Sequence, residues 1–516
     1  MRIRLRDRLA VLSIRFMDLI QDGLLKNYAL FSFIAARAPQ DFGAQACCYR
    51  AFKEFLTAYK HVPAYKKFLD KSGWVPTTTN ANELFKSLPV TDKPNYILAY
   101  RTEERCFNGT FLHKGVVIDE SSGSTGIPYN WVRCEKEREI VKKLIAVYLR
   151  YCYGNEKYIV LNTFSMGAWA TGFNMAIAAQ GLGVVKSTGP DIDKILHTLQ
   201  FFGNKYPYIL NGYPPFLKYL FDEGEKRGFN WSEYTIHALV GGEGMSEGLR
   251  DYLLRHAKTV YSGYGASDLE IGIGGENPLT VMIRKLCLHD AVLRKALFGD
   301  DHRLPMLFQY NPADHFIEIV NREIVVTISK SWTISPRIRY NIKDEGGMIT
   351  FDDMKAKLKL HNIDIMDLEK KCRYPRWYVP FLFIYGRKDS TVSVMGANIY
   401  PEDVESIVYS DLFLANSVNS FSISLEEDPC GNPRPCFEFE LMDIGQKAKV
   451  EETLRNILSS GLAKLSLDYK KAKDEYPQAV EPVVRIFGMH EGPFKDDQLR
   501  IKKRYVKHSV ALRQRP

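Results

Sequence analysis

The chain has 516 residues, 45% of them hydrophobic, and a formal net charge of +9. A chain of that length can bury one large core and a second, smaller one. No apolar run reaches the ~18–20 residues of a membrane-crossing helix, so a soluble multidomain protein without a membrane span is expected. The charge is modest and its bases are mixed with acids, which points to small polyanions rather than nucleic acid as partners.

The chain opens on Arg2, Arg4, Arg6 and Arg8, and Arg15 interrupts the apolar residues that follow, too early for a signal peptide. This stretch reads as a basic amphipathic helix, either laid on a membrane surface or a partner, or packed on its own domain with a solvated face. Nine cysteines, without Cys-x-x-Cys spacing, fit a reducing, cytoplasmic compartment. Cys47-Cys48 and the Cys430/Cys436 pair lack the neighbouring ligands of a zinc site. Residues 116–118 and 129–133 read as two strands. Between them lies Ser121-Ser122-Gly123-Ser124-Thr125-Gly126-Ile127-Pro128. Glycines let the backbone approach an anion while N–H groups and hydroxyls supply hydrogen bonds, so this loop is either a phosphate cradle or a polar hairpin turn. It is no P-loop, because the Gly-Lys-Ser/Thr ending and the following helix are both missing.

From residue 157 onward, strands at 158–162, 184–185, 208–210, 236–240 and 259–261 alternate with helical patterns at 171–181, 191–202, 215–223 and 246–256. That alternation predicts a doubly wound α/β domain with a parallel sheet. Ligands of such sheets sit beyond the carboxyl ends of the strands. There the unusual loops fall: Thr163-Phe164-Ser165-Met166-Gly167, Gly241-Gly242-Glu243-Gly244 and Ser262-Gly263-Tyr264-Gly265-Ala266-Ser267-Asp268. A charged helical segment over 352–376 reads as an insertion. Beyond Gly386, strands at 391–394, 421–425 and 437–441 and helices at 401–409 and 450–465 predict a small α+β module. The expected organisation is a large domain over 1–385 and a smaller, mobile one over 386–516.

Two rival motifs are present. Gly244-Met245-Ser246-Glu247-Gly248 fits the G-x-S-x-G elbow of serine hydrolases, but Gly241 to Met245 separate the strand from the serine, so Ser246 reads better as a helix N-cap. Gly272-Ile273-Gly274-Gly275 lacks the third glycine of a dinucleotide fingerprint.

In order and spacing, the motifs resemble the adenylate-forming enzymes, the acyl- and aryl-CoA ligases, and in particular their phenylacetate-CoA ligase-like branch. Ser121 to Pro128 is similar to the family's phosphate loop, Gly241-Gly242-Glu243 to its adenine-lining stretch, and Tyr264-Gly265-Ala266-Ser267-Asp268 to its Tyr-Gly-x-Thr-Glu motif. Arg339-Tyr340-Asn341-Ile342-Lys343-Asp344 resembles the segment ending in a ribose-binding aspartate. Gly386-Arg387-Lys388-Asp389, with Gly396 to Pro401 and Val404-Glu405, resembles the hinge between domains.

The resemblance implies ATP, Mg²⁺ and coenzyme A as ligands and a carboxylic acid, aryl or arylacetic, as substrate. It implies an acyl-adenylate intermediate whose acyl group passes to coenzyme A or to a carrier-protein phosphopantetheine arm. Ser121, Ser122, Gly123, Ser124, Thr125 and Gly126 would grip phosphate, with Gly242, Glu243, Gly265 and Ser267 around the nucleotide. Tyr264 would stack on adenine, Asp344 would hold ribose, Arg387 would reach ribose or phosphate, and Asp389 would be the hinge. Asp268 stands where the family has a metal-holding glutamate, one methylene longer, so Glu270 is a second candidate. Ser165, Met166, Gly167 and Trp169, with Thr171 and Gly172, would wall the acyl pocket. Lys502 or Lys503 would replace the family's C-terminal catalytic lysine, whose Gly-Lys-x-x-Arg setting is absent here. That absence and the shortened carboxylate leave open a protein that binds nucleotide without turnover.

Overall fold

The computed structural model describes residues 4–37, 40–120, 129–167, 170–301, 303–330, 333–372, 377–387, 392–395, 397–427, 433–475, 477–495 and 505–507. Three helices come first: α1 (Leu5–Leu24), α2 (Tyr28–Ala35) and α3 (Gln40–His61). Strands β1 (Val117–Glu120) and β2 (Asn130–Arg133) form a separate antiparallel hairpin in which Glu120 faces Asn130. The loop 121–128 that they bracket lies outside the described residues.

An 11-stranded sheet forms the frame, in the order β10-β11-β12-β13-β9-β8-β7-β6-β5-β3-β4. One half is parallel: β3 (Tyr158–Asn162), β4 (Gly183–Ser187), β5 (Tyr208–Gly212), β6 (Ile236–Gly241) and β7 (Val260–Tyr264). These strands match the expected alternation because buried parallel strands read as apolar runs; all five residues of β3 and of β5 are buried. The other half is antiparallel: β8 (Gly274–Gly275), β9 (Met306–Tyr310), β10 (His315–Val320), β11 (Glu323–Ile328), β12 (Tyr340–Ile349) and β13 (Phe381–Arg387). The sequence reading assigned none of these strands. Their pairing is set across the sheet rather than along the chain, and β12 carries Lys343, Asp344, Glu345 and two glycines that interrupt any apolar pattern.

The charged segment 352–376 holds two helices, Phe351–Leu360 and Ile365–Lys370, inserted between neighbouring strands β12 and β13. Phe351, Met354, Leu358 and Ile365 share a core with Leu279 and Ile283 of helix Pro278–His289. The remaining strands, β14 (Val392–Val394), β15 (Ala397–Ile399), β16 (Val418–Glu427), β17 (Pro433–Leu441), β18 (Val483–Phe487) and β19 (Val506–Lys507), make a two-stranded and a four-stranded sheet. With helices Pro401–Ser410 and Lys447–Leu465 they enclose a core of their own, including Val404, Phe437, Leu454 and Leu458. Among the described residues no helix is long and apolar enough to cross a membrane.

A buried ionic network locks the loops at the sheet's carboxyl edge. Arg250 lies on helix Glu247–Leu253 and has no exposed surface. It donates to Glu247 at 2.9 Å, to Glu276 at 2.6 Å and to the Val260 carbonyl at 2.6 Å. Glu276 also accepts the Ser262 N–H at 2.9 Å, and Glu247 pairs with Arg284. Burial by itself raises the Glu247 pKa, but the Arg284 and Arg250 charges outweigh it and hold the carboxyl below its ordinary range. Glu247→Gln would leave two buried guanidiniums short of a counter-charge, an expected loss of roughly 3–5 kcal/mol near neutral pH. A depressed folded-state pKa means that this stabilisation is complete above the unfolded value of 4.5 and lost as pH falls through the folded one. Denaturation midpoints of wild type and variant should therefore diverge at neutral pH and converge in acid.

Candidate active site

The parallel order reverses between β3 and β5, so a crevice opens beyond their carboxyl ends. Phe164, which follows β3, and Tyr213, which follows β5, meet edge to face there, with ring centroids 5.1 Å apart. Both line a cavity of about 990 Å³ that also takes in Glu120, Gly242, Tyr264, Gly265 and Ser267. Glu120 is the last described residue before the hydroxyl-rich loop. The cavity runs on past Tyr148 and Tyr151 to Met17, Ile20, Phe31 and Ile34 of the N-terminal helices.

Glycines open this passage. A Cβ on Gly275 would sit 2.3 Å from Tyr148 Cε2, and one on Gly265 would sit 2.9 Å from the Glu270 carbonyl oxygen. Backbone therefore lines the wall where side chains would fill it.

Tyr264, at the end of β7, donates its hydroxyl to Asp344 Oδ2 at 2.7 Å. Its ring stacks against Phe308, with centroids 5.6 Å apart. The two motifs lie 80 residues apart in sequence and come from opposite halves of the sheet. The segment before Asp344 is held in an unusual conformation: Arg339 and Lys343 have φ of 46° and 66°. Non-glycine residues reach that region at a cost, and structures retain such positions where neighbours over-determine them. Here Arg339 donates to the Lys86 carbonyl at 2.8 Å and to Glu318 at 2.9 Å, and Asn341 Oδ1 accepts the Lys343 N–H at 2.7 Å. Asp344 pairs in register with Arg387 across β12 and β13.

Asp268 is fixed from two sides. Its Oδ2 accepts the Tyr340 hydroxyl at 2.7 Å, and its carbonyl accepts Arg337 Nε at 2.9 Å. Burial, then the Asp268 charge, pushes the Tyr340 phenol far above its ordinary pKa, so it stays a proton donor. Arg337 is buried, stacks over Trp131 at 4.8 Å, and has its pKa drawn down to about 10 by that burial, which leaves it charged at neutral pH. Glu270 instead pairs with buried Lys330 and with His315 at 2.5 Å, and so is committed within the core rather than to a metal. No group of three or more His, Cys, Asp or Glu gathers at metal-holding distance among the described residues. An oxygen ligand set supplied largely by substrate and water, with one protein carboxylate, suits Mg²⁺, and Asp268 fits that part.

The β1–β2 hairpin is joined to the Tyr264–Asp268 segment by Arg133, which donates to the Ser267 carbonyl at 2.8 Å and pairs with Asp119 at 3.4 Å. Sequence reasoning missed Arg133, Arg337 and Tyr340 as supports; only Tyr340 fell inside a quoted motif. Ser165, Met166 and Gly167 lie outside the cavity wall. Asn162 Nδ2 approaches Met166 Sδ at 3.5 Å, while Phe164, Ala170, Thr171 and Met175 face the cavity. Trp169, Asp389, Lys502 and Lys503 are outside the described residues, as are Ser121, Ser122, Gly123, Ser124, Thr125 and Gly126.

Ser246 caps helix Glu247–Leu253, accepting the Leu249 N–H at 3.1 Å, while its own N–H donates to Glu405 Oε2 at 2.8 Å. That is the N-cap arrangement expected, not a nucleophile elbow. The Glu405 contact belongs to a seam between the C-terminal module and the site. Tyr252 reaches Asn416 at 3.0 Å, and the Tyr505 hydroxyl lies 3.4 Å from Glu243.

This framework is the two-domain fold of the adenylate-forming ligases. A solved structure of 2-hydroxyisobutyryl-CoA ligase in the postadenylation state, in complex with R3-HIB-AMP, superposes with a TM-score of 0.67 at 13% identity, covering 93% of this chain and 92% of that one. The same ligase with 2-HIB-AMP and CoA in its thioesterification state gives 0.55 at 14% identity, covering 92% and 91%. In sequence, a phenylacetate-coenzyme A ligase of Thermus thermophilus is 23% identical over 361 residues, 68% of this chain and 71% of that protein. No family model matches the chain.

A Gly275→Ala substitution tests the glycine-lined wall. The added methyl must push Tyr148 into the cavity, with an expected cost of about 1–3 kcal/mol in stability. An apolar fluorescent probe bound in the cavity should be largely displaced; unchanged probe binding at full folding would contradict the wall as described.

Proposed function

We propose that the chain is an ATP-dependent acid–thiol ligase, which activates a carboxylic acid as an acyl-adenylate and passes the acyl group to coenzyme A. The carrying observation is the 2.7 Å contact between Asp344 and Tyr264, which lines a cavity that also reaches Glu120 and Gly242. It puts an aromatic face and an acceptor-only carboxylate side by side, the pair that adenine and a ribose diol call for. The comparisons support the reading: the structural relative carries an acyl-adenylate and CoA, and the sequence relative is a CoA ligase.

In the first half-reaction a carboxylate oxygen attacks the α-phosphorus, and the bond to pyrophosphate breaks. In the second, the thiol sulfur attacks the acyl carbon and AMP leaves. Both steps bring anions together, so the site must neutralise charge and hold the reactants in line. In this reading Ser121 to Gly126 bind the phosphates, with Arg133 fixing the base of their hairpin against Ser267. Gly242, Glu243, Gly265 and Ser267 border the nucleotide, and Arg387, opposite Asp344 in the strand register, assists at the ribose or phosphate. Asp268 would hold Mg²⁺, which when bound would screen the triphosphate charge. Lys502 or Lys503 approaches the α-phosphate; Tyr505, two or three residues further on, lies against Glu243. The domain boundary, expected at 385/386, falls instead at the end of β13, because Gly386 and Arg387 pair with Glu345 and Asp344 in the large sheet; with the hinge at Asp389, the small domain turns between the half-reactions. The acid is apolar, of the aryl or arylacetic kind, because aromatic and aliphatic side chains line the cavity beyond the nucleotide end.

Pyrophosphate release from ATP across aromatic, fatty and amino acids, with and without coenzyme A, tests the assignment. An apolar acid should give release, and thioester should form only when coenzyme A is present; nucleotide binding without release for any acid would leave a non-catalytic protein. Asp344→Asn should weaken ATP binding roughly ten- to a hundredfold, the worth of one or two hydrogen bonds to a charged acceptor. Tyr264→Phe should cost only a few-fold, because the stacking ring remains. Lys502→Ala and Lys503→Ala should slow adenylate formation very unequally, whereas Asp389→Pro should spare adenylation and slow transfer to coenzyme A.

A further inference from the structure

Helix α1 has two apolar faces, and only one of them is used. Val11 and Ile14 are buried, and so is Asp7, which accepts the Tyr49 hydroxyl at 2.9 Å and the Ala81 N–H at 3.0 Å. Asp18 faces the same way, pairing with Arg50 at 2.9 Å and with Lys53, both on α3. On the far side, Leu5, Leu9, Leu12, Phe16 and Ile20 are 73%, 58%, 57%, 66% and 46% exposed. At 3.6 residues per turn these five fall within an arc of about 80°, a continuous stripe opposite the packed face. Helix α2 extends it with Leu30, Phe33 and Ile34, all exposed.

Among the described side chains, the charges flanking the stripe are basic. Arg4, Arg6 and Arg8 are exposed, with Arg4 and Arg8 falling on one flank of the stripe and Arg6 on the other. On α2's side, exposed Arg37 lies over the Phe33 ring at 3.9 Å. The acids Asp7 and Asp18 point inward to their partners. An apolar stripe edged by basic side chains is the pattern of a helix lying in the plane of a lipid interface, and charge complementarity selects a surface of negative headgroups.

We propose that α1 and α2 form a hairpin that docks the protein on an anionic phospholipid bilayer, with the stripe in the acyl–headgroup boundary and the arginines on lipid phosphates. The same hairpin carries the far end of the site cavity. Ile20 and Ile34 line that cavity and are also 46% and 40% exposed, so its outer mouth opens on the docking face. Docking would thus set the cavity's apolar end against the membrane, where apolar acids concentrate. The docking itself does not depend on the ligase reading.

Co-sedimentation of the full chain with vesicles tests this directly. Vesicles of phosphatidylcholine with phosphatidylglycerol should bind the protein, pure phosphatidylcholine should bind it weakly, and high salt should release it. Phe16→Glu should abolish binding. The double variant Arg4→Glu, Arg8→Glu should lower partitioning at least about tenfold. None of these side chains touches the cavity, so circular dichroism and nucleotide binding should stay at wild-type levels and report intact folding. Equal binding to both vesicle types, or no binding to either, would overturn the proposal. So would a wild-type dimer in light scattering that Phe16→Glu converts to monomer without vesicle binding, because the stripe would then be an interface between two copies.

Discussion

The hydrogen bond between Tyr264 and Asp344 is the constraint around which the site is organised. It ties the end of the parallel half of the sheet to the centre of the antiparallel half, and neither half makes the site without the other. A phenol and a carboxylate make a strong, short contact when partly shielded from water. Holding both at one point requires the strands that carry them to be rigid. The buried Arg250 network supplies that rigidity on the β7 side, and the over-determined turn at Arg339 and Lys343 supplies it on the β12 side.

The site is assembled from supports rather than from one rigid element. Arg133 fastens the hairpin under the hydroxyl-rich loop, Arg337 and Tyr340 hold Asp268, and Glu405 and Tyr505 bring the C-terminal module against the loop after β6. Contacts of the last kind are both polar and aromatic: Tyr409 of the C-terminal module packs against the large core, with its ring 6.0 Å from that of Tyr252, and Arg303 lies over the Tyr400 ring at 4.1 Å.

The cavity joins chemistry to surface. Its walls come from the crevice between β3 and β5, from glycines in the middle of the sheet, and from helices at the start of the chain. An apolar acid, as proposed for the substrate, would have to leave an apolar environment and present a carboxylate to a charged site. A passage with a polar end at Tyr264 and an apolar mouth between α1 and α2 separates those demands in space.

Much of this was legible in the sequence. The alternation from Tyr158 to Tyr264 gave the parallel strands and their helices, since period-2 and period-3.6 patterns are local properties. The motif order gave the two-domain fold, and the spacing around Ser246 distinguished a helix cap from a nucleophile. Tertiary structure alone decided the antiparallel half, because β8 to β13 pair across long sequence distances and their polar residues hide the pattern. It also decided that Glu270 belongs to a buried ion pair, that Phe164 and Met175 rather than Met166 face the cavity, and that the apolar stripe of α1 points outward. Residue types and spacing follow from the chain itself; which face of an element is buried depends on what packs against it, and that is fixed only when the whole chain has folded.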